Sequence, residues 1–568
     1  MPPNTHQISR RKKTCILSLI ILSLTTNLVC AAPTSRTDIE EQNRKARQEE
    51  QDRKQREQAQ DVFLQKDKQD TKLERLPEET PNFMIHTIKL EGNIEGRFSW
   101  AQDIANHYQD QRIGWQGINI IVKALTNAFI DRGYVTTRVL IPQQDISTGV
   151  LTLQVIPGTI KDIEFSDPAT KADWRSAFPA RPGDILNLRD LEQGLEQMKR
   201  VPSQDAEMQL VPGENPGESI VQITVKQKKP WKVVVSFDDS GSKATGKLQA
   251  SETFSMDNLF GINDLFSISL NSDAERKGQR YGTRGDSFSY SFPQGYWTYS
   301  LSSSEYKYHQ TIENMGTSFL SSGRTRNFEF KAERLIYRDK TRKTSLALSI
   351  TKSLSKSFIE DAEIEVQRRK TTAAEIGLTH KQYNGQTVVD YSLAYKRGVP
   401  WMGAQDDPAD SGPDEPTTHY NLWIFDISLT APVTMGKIKA SYSATLHGQY
   451  TKDRMYAAEF LSIGNRYTVR GFDGEQTLSS ESGWYLRNEL SIPVKEAGPE
   501  VYLALDVGQI SGASVGESIG KSLVGSALGL RGSIAGAQYD VFVGVPIKRP
   551  AGMDIPDHVL GFQLLYQI

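Results

Sequence analysis

The carboxy-terminal part of the chain, from Trp231 to Ile568, alternates apolar and polar residues in many runs separated by polar turns. Alternation with a period of two is the pattern of a β-strand with one apolar face. The last run places five apolar residues on one face: Leu560, Phe562, Leu564, Tyr566 and Ile568. At about 21 residues per strand and turn, this region provides about 16 strands, a number that closed outer-membrane barrels reach. We therefore expect an antiparallel membrane β-barrel of 16 strands over residues 229–568.

A soluble stack of β-sheets is the alternative for this region, and the amino-terminal segment argues against it. Four cationic residues at 10–13 precede an apolar run from Cys15 to Val29, and small residues follow at 31 and 32. This pattern predicts a secretory signal peptide over residues 1–31. A lipoprotein signal with Cys30 as the lipidated residue is weaker, because Val29 is bulky. Both cysteines of the chain lie in this segment, so the mature protein is expected to have no disulfide.

Residues 36–60 are nearly all polar and have the pattern of a helix. Thr37 and Glu40 match a capping box, and acid-before-base pairs such as Glu50 and Lys54 recur at i,i+4. A helix that is polar on all sides cannot pack on an apolar core, so it lies either in a wet channel or in solvent as a tether. At 1.5 Å per residue it is roughly 37 Å long, enough to cross a membrane pore. The residues alone leave both placements open, and we predict an N-terminal helical segment over residues 32–60, followed by a linker over residues 61–81.

Two consecutive segments, residues 82–157 and 158–228, share a strand–helix–helix–strand–strand pattern, which predicts two α+β domains. In the first segment the predicted elements are a strand at 84–90, a helix around 118–129, and strands at 135–141 and 150–156. In the second segment they are a strand at 160–165, a helix near 188–201 and a strand at 219–225. Two units of about 70 residues with one layout indicate an internal repeat.

Two short motifs in the last fifth of the chain point to a buried ion pair. Val469-Arg470-Gly471-Phe472 lies in a polar stretch between strands, whereas Asp506 and Gly508 lie inside a strand. A guanidinium is always charged and forks onto a carboxylate, so Arg470 can pair with Asp506 on a barrel wall. Gly471 permits a tight turn, and Phe472 can wedge the loop against the wall. The alternative is an exposed loop with Arg470 in water.

The fixed order of these features resembles the TpsB family of two-partner secretion transporters, within the outer-membrane assembly-factor superfamily. The two repeated segments resemble POTRA domains, and the resemblance covers essentially the whole mature chain. Four strings carry it besides the Val-Arg-Gly-Phe element: Gly133-Tyr134, Pro142-Gln143-Gln144-Asp145, Pro157-Gly158-Thr159-Ile160 and the run Gly483 to Leu490. The chain departs from the family pattern at Ala504 and at the terminal Ile568.

The resemblance implies a sixth extracellular loop, around residues 462–478, that folds back into the lumen and brings Arg470 to Asp506. It also implies that the helix over residues 32–60 plugs the lumen at rest. The POTRA domains would lie in the periplasm, capture an unfolded exoprotein and pass it to the barrel pore. The client would be a haemolysin, an adhesin or a contact-dependent toxin. The other implied partners are outer-membrane lipid and the barrel assembly machinery. A general barrel insertion factor and a passive porin or receptor remain as alternatives.

An exposed strand edge in the first POTRA-like segment is the predicted client-binding surface, because an extended client can add itself as a strand. The residues assigned to this edge and its neighbouring helix are Val135, Thr137, Val139, Ile141, Ile121 and Leu125. The alternative is that they only hold the fold of the segment. We expect no catalytic residue, metal, cofactor or nucleic acid. Gly516 to Gly520 matches a hydrolase elbow, but it lies in a polar connection between strands rather than in an α/β fold.

Overall fold

The structure is a computed structural model that describes residues 35–58, 61–64, 74–92, 96–170, 172–314, 317–410, 412, 414–495 and 498–568. The predicted signal peptide, residues 1–31, lies outside the described residues. Along the chain, a single helix is followed by two small α+β units and a closed β-barrel. No helix in the described part of the chain is long and apolar enough to cross a membrane.

Helix α1 spans Arg36–Gln58 and is polar along its whole length, as predicted. Its capping residues differ from the predicted pair. The Ser35 hydroxyl donates to Asp38 at 2.7 Å, and the Asp38 backbone N–H donates back to the Ser35 hydroxyl at 3.2 Å. Thr37 and Glu40 do not form the capping box, because both side chains contact the barrel instead.

The first α+β unit, here called the first module, has five strands and two α-helices among its described residues. Its elements are β1 (Phe83–Ile85), β2 (Thr87–Glu91), α2 (Ser99–Asn106), β3 (Gln111–Ile113), α3 (Trp115–Asp131), β4 (Arg138–Leu140) and β5 (Val150–Ile156). Strands β2 and β5 are parallel, β4 is antiparallel to β5, and β1 pairs separately with β3. The predicted strand at 84–90 is therefore two strands, because the chain changes sheets at His86.

The second α+β unit, here called the second module, has one three-stranded sheet. Its elements are β6 (Thr159–Phe165), α4 (Trp174–Ala177), α5 (Leu188–Lys199), β7 (Gln204–Pro212) and β8 (Glu218–Gln227). The strand order is β6-β8-β7, with β6 parallel to β8 and β7 antiparallel to it. Helix α5 packs Leu191, Leu195 and Met198 into the core below this sheet.

Sixteen antiparallel strands form the barrel, which is closed because the first of these strands pairs with the last. The first half comprises β9 (Trp231–Asp238), β10 (Gln249–Asp257), β11 (Leu265–Asp273), β12 (Tyr281–Gln294), β13 (Trp297–Asn314), β14 (Thr317–Arg338), β15 (Arg342–Ile359) and β17 (Arg369–Asn384). The second half comprises β18 (Thr387–Gly398), β19 (Asn421–Met435), β20 (Ile438–Tyr450), β23 (Ser482–Pro493), β24 (Glu500–Ser511), β25 (Ser522–Ile534), β26 (Ala537–Lys548) and β27 (Val559–Gln567). Three short strands lie in connections: β16 (Ala362–Glu363), β21 (Leu461–Ile463) and β22 (Leu478–Ser480).

The barrel strands have an apolar outer face and an inner face occupied by other parts of the chain. On β24, Leu503 and Leu505 are 57% and 52% exposed. The residues that follow each of them, Ala504 and Asp506, are fully buried. The last strand exposes Leu560, Leu564, Tyr566 and Ile568 on its outer face, as its alternation predicts. These faces suit a cylinder surrounded by lipid rather than a soluble stack of sheets.

The two rims of the barrel are distinguished by the modules. The second module contacts the β10–β11 and β12–β13 turns, where Asn263 donates to the carbonyl of Asp173 and Gly295 donates to that of Ser176. We call this end the module-side rim. Counting strands from β9, the connection between β20 and β23 is the sixth connection at the opposite rim.

Candidate functional site

The connection from residue 451 to 481 folds inward from the opposite rim. Strands β21 and β22 form its antiparallel stem, and residues 464–477 form its tip. An apolar cluster fixes the stem and tip against the wall. Its members include Leu461, Ile463, Val469, Phe472, Leu478, Tyr485 and Leu523. Val469 and the predicted wedge residue Phe472 are 0% and 3% exposed, so both lie inside the molecule.

The tip of this loop places Arg470 against Asp506 on β24. The Arg470 Nε and Nη2 atoms donate to the two carboxylate oxygens of Asp506 at 2.7 and 2.9 Å. The backbone N–H of Arg470 also donates to Asp506, at 3.0 Å, as does that of Asn488, at 3.2 Å. The carboxylate is fully buried and the guanidinium nearly so. This bidentate geometry is the strong form of an arginine–carboxylate contact.

A second carboxylate, Glu489 on β23, also contacts Arg470, and Arg531 balances its charge. Its side chain accepts from Arg470 Nη1 at 2.5 Å and from Arg531 at 2.7 Å. Two buried or half-buried acids therefore surround one guanidinium. Glu489 lies in the run Gly483 to Leu490, but the sequence analysis did not assign it a role in this site. The alternation of β23 was the available signal, since inward-facing positions recur at every second residue.

Glycines on the barrel wall leave the space that the loop tip occupies. A Cβ atom added at Gly525 would lie 1.9 Å from the carbonyl oxygen of Arg470, and one at Gly544 would lie 2.8 Å from Gly471. A Cβ atom at Gly508 would meet the Val469 side chain at 2.9 Å. Gly471 itself has a φ of +103°, a conformation that L side chains rarely adopt. The predicted Gly471 and Gly508 thus allow the close approach of loop and wall.

Helix α1 lies inside the barrel lumen and contacts several walls. Near its start, the Thr37 hydroxyl is 2.8 Å from the hydroxyls of both Tyr308 on β13 and Ser357 on β15. Farther along, Lys45 pairs with Glu459, in a turn of the inward connection, at 2.9 Å. Strands on different sides of the cylinder therefore hold the helix by polar contacts.

The helix and the loop tip contact each other through Arg487 on β23. The Arg487 Nη1 atom donates to Glu50 of the helix at 2.8 Å and to the Tyr467 carbonyl of the loop at 3.1 Å. Arg47 of the helix lies over the Tyr467 ring, 5.9 Å from its centroid. Movement of the helix would consequently disturb the loop that holds Arg470.

The segment after the helix is held at the module-side rim. Asp61 pairs with Lys343 and Lys381 at 2.5 and 2.7 Å and accepts a hydrogen bond from Tyr383. The opposite end of the helix contacts Ser242 at the opposite rim. Helix α1 therefore runs through the lumen from one rim to the other.

Most of the side chains predicted to form the client-binding edge are buried rather than exposed. Ile121 and Leu125 are fully buried, and Val139 is 6% exposed, because all three form the core of the first module. Val135 packs against the second module instead, and the buried Thr137 hydroxyl accepts from the Gly158 N–H at 3.3 Å. These side chains hold the modules, so any edge that a client could use here is formed by the main chain rather than by them.

The free edge of the first module is shorter than predicted. Strand β4 covers only Arg138–Leu140, with Ile141 just beyond it and partly buried. At the other edge, the Gln102 side chain bonds the main chain of Ile88 and Leu90 on β2 and so covers it. The second module offers a longer edge, β7, which pairs only with β8. The sequence analysis did not assign β7, although Ala206, Met208 and Leu210 alternate with polar residues and were the available signal.

Three family models match the chain. A model described as haemolysin secretion/activation protein ShlB/FhaC/HecB matches residues 217–532. A ShlB-type POTRA domain model matches residues 83–158, and a second POTRA domain model matches residues 159–212.

Individual relatives and solved structures are similar along most of the chain. The outer membrane transporter CdiB-2 of Burkholderia pseudomallei (strain 1026b) is 40% identical over 513 residues, which cover 87% of each protein. The hemolysin transporter protein ShlB of Serratia marcescens is 32% identical over 384 residues, covering 67% of each. The structure of CdiB from Acinetobacter baumannii matches with a TM-score of 0.83 at 27% identity, over 95% of this chain and 100% of that one.

Proposed function

The chain belongs to the ShlB/FhaC/HecB family of haemolysin secretion/activation proteins, and we propose that it is an outer-membrane translocator for an unfolded exoprotein. In this proposal the two modules lie in the periplasm and the barrel spans the outer membrane. The observation that carries it is helix α1, a polar segment threaded through the lumen from rim to rim. A lumen that accommodates a polar helix has room for another polar chain segment.

We propose that the modules bind the client through main-chain groups rather than through particular side chains. We propose POTRA domains over residues 82–157 and 158–228, after a plug helix at 32–60 and a linker at 61–81. The free edges of β4 and β7 support strand addition by an extended client, because unpaired backbone N–H and C=O groups need no particular client sequence.

Arg470 and Asp506 are assigned to holding the loop while the client passes. Three observations support this role: the bidentate contact of Arg470 with Asp506, the burial of Val469 and Phe472, and the close approach of loop and wall at Gly508 and Gly471. The client would move along the lumen vacated by the helix, with the loop kept against β24. Folding of the client outside the cell would make its return unfavourable.

The client is assigned to the class of haemolysins, adhesins and contact-dependent toxins. Relatives named as hemolysin transporter proteins from Serratia marcescens and Proteus mirabilis support this class without choosing within it. Outer-membrane lipid and, during biogenesis, the barrel assembly machinery are the further proposed partners. The transporter names of the relatives support a role in transport rather than catalysis.

The test is to coexpress the chain with the exoprotein encoded beside it in a bacterial host that lacks such a transporter. We expect the exoprotein in the culture medium only when the chain is present. The purified full chain should also retain an unfolded amino-terminal fragment of that exoprotein. Retention of barrel precursors instead would support an insertion factor, and retention of neither, without secretion, would support a porin or receptor.

A further inference from the structure

A cleft with a volume of about 360 Å³ lies between the second module and the module-side rim of the barrel. Its lining includes Pro179 and Arg181 from the module, and Tyr296, Trp297, Tyr299 and Arg334 from the barrel. The volume is at the lower end of the range for small-molecule sites. The cleft is separate from the lumen that holds α1.

The barrel residues of the cleft face outward, toward lipid. Arg334 lies directly across from Trp297, the first residue of β13. It shares its face of β14 with Phe330 and Phe328, which are 43% and 39% exposed. The adjacent β12–β13 turn bonds the second module, since Gly295 donates to the Ser176 carbonyl at 2.8 Å. The cleft therefore lies where the outer wall of the barrel meets the periplasmic leaflet.

Two guanidinium groups at this cleft have no described carboxylate as an ion-pair partner. On β14, Lys331 and Arg338 pair with Glu333 and Glu196. Arg334 instead lies 5.4 Å from the centroid of the Trp297 ring.

The Arg181 guanidinium is held by carbonyl oxygens. It donates to Phe178 and Ala180 at 2.5 and 3.0 Å, and to Arg175 at 2.9 Å. The nearby Asp184 carboxylate contacts the Arg181 backbone N–H, at 2.8 Å, rather than the guanidinium. The carbonyls fix the position of the side chain and leave its positive charge available to an anion.

Aromatic rings extend the cleft up the lipid-facing wall. Trp297 and Tyr299 stack with their ring centroids 5.9 Å apart, and Tyr299 stacks on Phe330 at 6.5 Å. Phe292 contacts the other side of Tyr299 at 5.3 Å. Rings of this kind at a membrane interface contact the upper part of an acyl chain, while their polar edges face the headgroups.

We propose that this cleft binds the phosphate headgroup of a phospholipid in the periplasmic leaflet of the outer membrane. The phosphodiester accepts hydrogen bonds from Arg181 and Arg334, and an acyl chain lies along Tyr299 and Phe330. Arginine forks onto phosphate and suits this geometry better than lysine does. Because one guanidinium belongs to the module and the other to the barrel, the bound lipid joins the two.

The experiment is native mass spectrometry of the full chain in a non-ionic detergent. Phosphatidylglycerol is the probe, and diacylglycerol with the same acyl chains is the matched probe without phosphate. We expect a retained phosphatidylglycerol adduct and little diacylglycerol. The double variant R181Q/R334Q should bind phosphatidylglycerol at least about tenfold more weakly, because two charge-assisted contacts are lost.

Matched variants separate the site from general charge effects. Arg326 lies on the same strand and outer face as Arg334 but pairs with Glu305 at 3.1 Å, so R326Q should retain the adduct. R181K/R334K should retain it partly, since charge remains without the fork. Heat-modifiable migration on gels verifies that each barrel is folded.

Three outcomes would overturn the proposal. The first is equal phosphatidylglycerol binding by R181Q/R334Q and the unmodified chain, and the second is equal binding of diacylglycerol. The third is complete displacement of the lipid by excess inorganic phosphate, which would identify the cleft as a site for free phosphate rather than for a lipid headgroup.

Discussion

At the scale of single residues, Asp506 determines whether the loop tip can remain inside the barrel. Its carboxylate is fully buried and accepts four hydrogen bonds, three of them from Arg470. Truncating one member of such a pair leaves the other charged and buried, which typically costs about 3–5 kcal/mol. We expect R470A and D506A to insert as folded barrels but to expose the loop and reduce secretion of the client more than tenfold. Protease digestion of whole cells and exoprotein in the medium are the measurements.

A double-mutant cycle distinguishes this ion pair from two independent defects. R470A/D506A should be less impaired than the sum of the single variants, because neither charge is left without its partner. Arg531 on the same wall offers the control. It is 38% exposed and shares Glu489 with Arg470, so R531A should change secretion little. Normal secretion by both single variants would contradict the assigned role.

The residues of this pair could be inferred from the sequence, whereas their surroundings could not. Arg470 and Asp506 stand in recognisable strings, and their charges require partners once buried. Arg487 and Glu489 lie in the recognisable run Gly483 to Leu490, but the run assigns them no partner, and their roles depend on which face of β23 points inward. Ile121 and Leu125 were misjudged for a related reason, since apolar residues at helical spacing predict a buried face but not its partner.

At the scale of elements, helix α1 is a removable part of the barrel interior. Its contacts with the walls are hydrogen bonds and ion pairs, and each contributes little net free energy because water can replace the partner. The sequence predicted a helix that is polar on all sides. It left open whether the helix lies in a channel or in solvent, because that depends on barrel residues hundreds of positions away.

A disulfide between the helix and the wall should block secretion reversibly. The Thr37 and Ser357 hydroxyls are 2.8 Å apart, and the only cysteines of the chain lie in the predicted signal peptide. We expect oxidised T37C/S357C to secrete less than a tenth of the normal amount of client, and to recover when a reductant is added. T37C alone is the control. Full secretion with the disulfide quantitatively formed would show that the helix need not leave.

At the scale of the whole molecule, the barrel was more predictable than its docking to the modules. Alternation is a local property, so the outer faces of β24 and β27 could be assigned from sequence. The module-side rim depends on contacts between distant segments, such as Asn263 with Asp173. Polar residues in turns carry no periodicity that predicts such partners. The modules were therefore predictable as units but not in their placement.

Arg338 on β14 links three parts of the molecule at the module-side rim. Its side chain is 2% exposed and donates to Glu196 of α5 at 2.9 Å and to Gln193 at 3.2 Å. It also donates to the carbonyl of Val62, in the segment that follows the plug helix. Because one guanidinium contacts barrel, module and plug segment, its loss should affect module placement and pore closure together.

We therefore expect R338A to broaden the distance distribution between spin labels on the second module and on the barrel. We also expect it to increase the ion conductance of the unliganded pore severalfold, since the segment after α1 loses one of its anchors. Arg342, the first residue of β15, pairs with Asp339 and is 47% exposed, so R342A is the matched control and should change neither quantity. If R338A raised conductance while the labels kept their distances, the plug segment would be anchored independently of the module. If neither quantity changed, Asp61 with Lys343 and Lys381 would be sufficient to hold the plug, and the three-part role of Arg338 would be wrong.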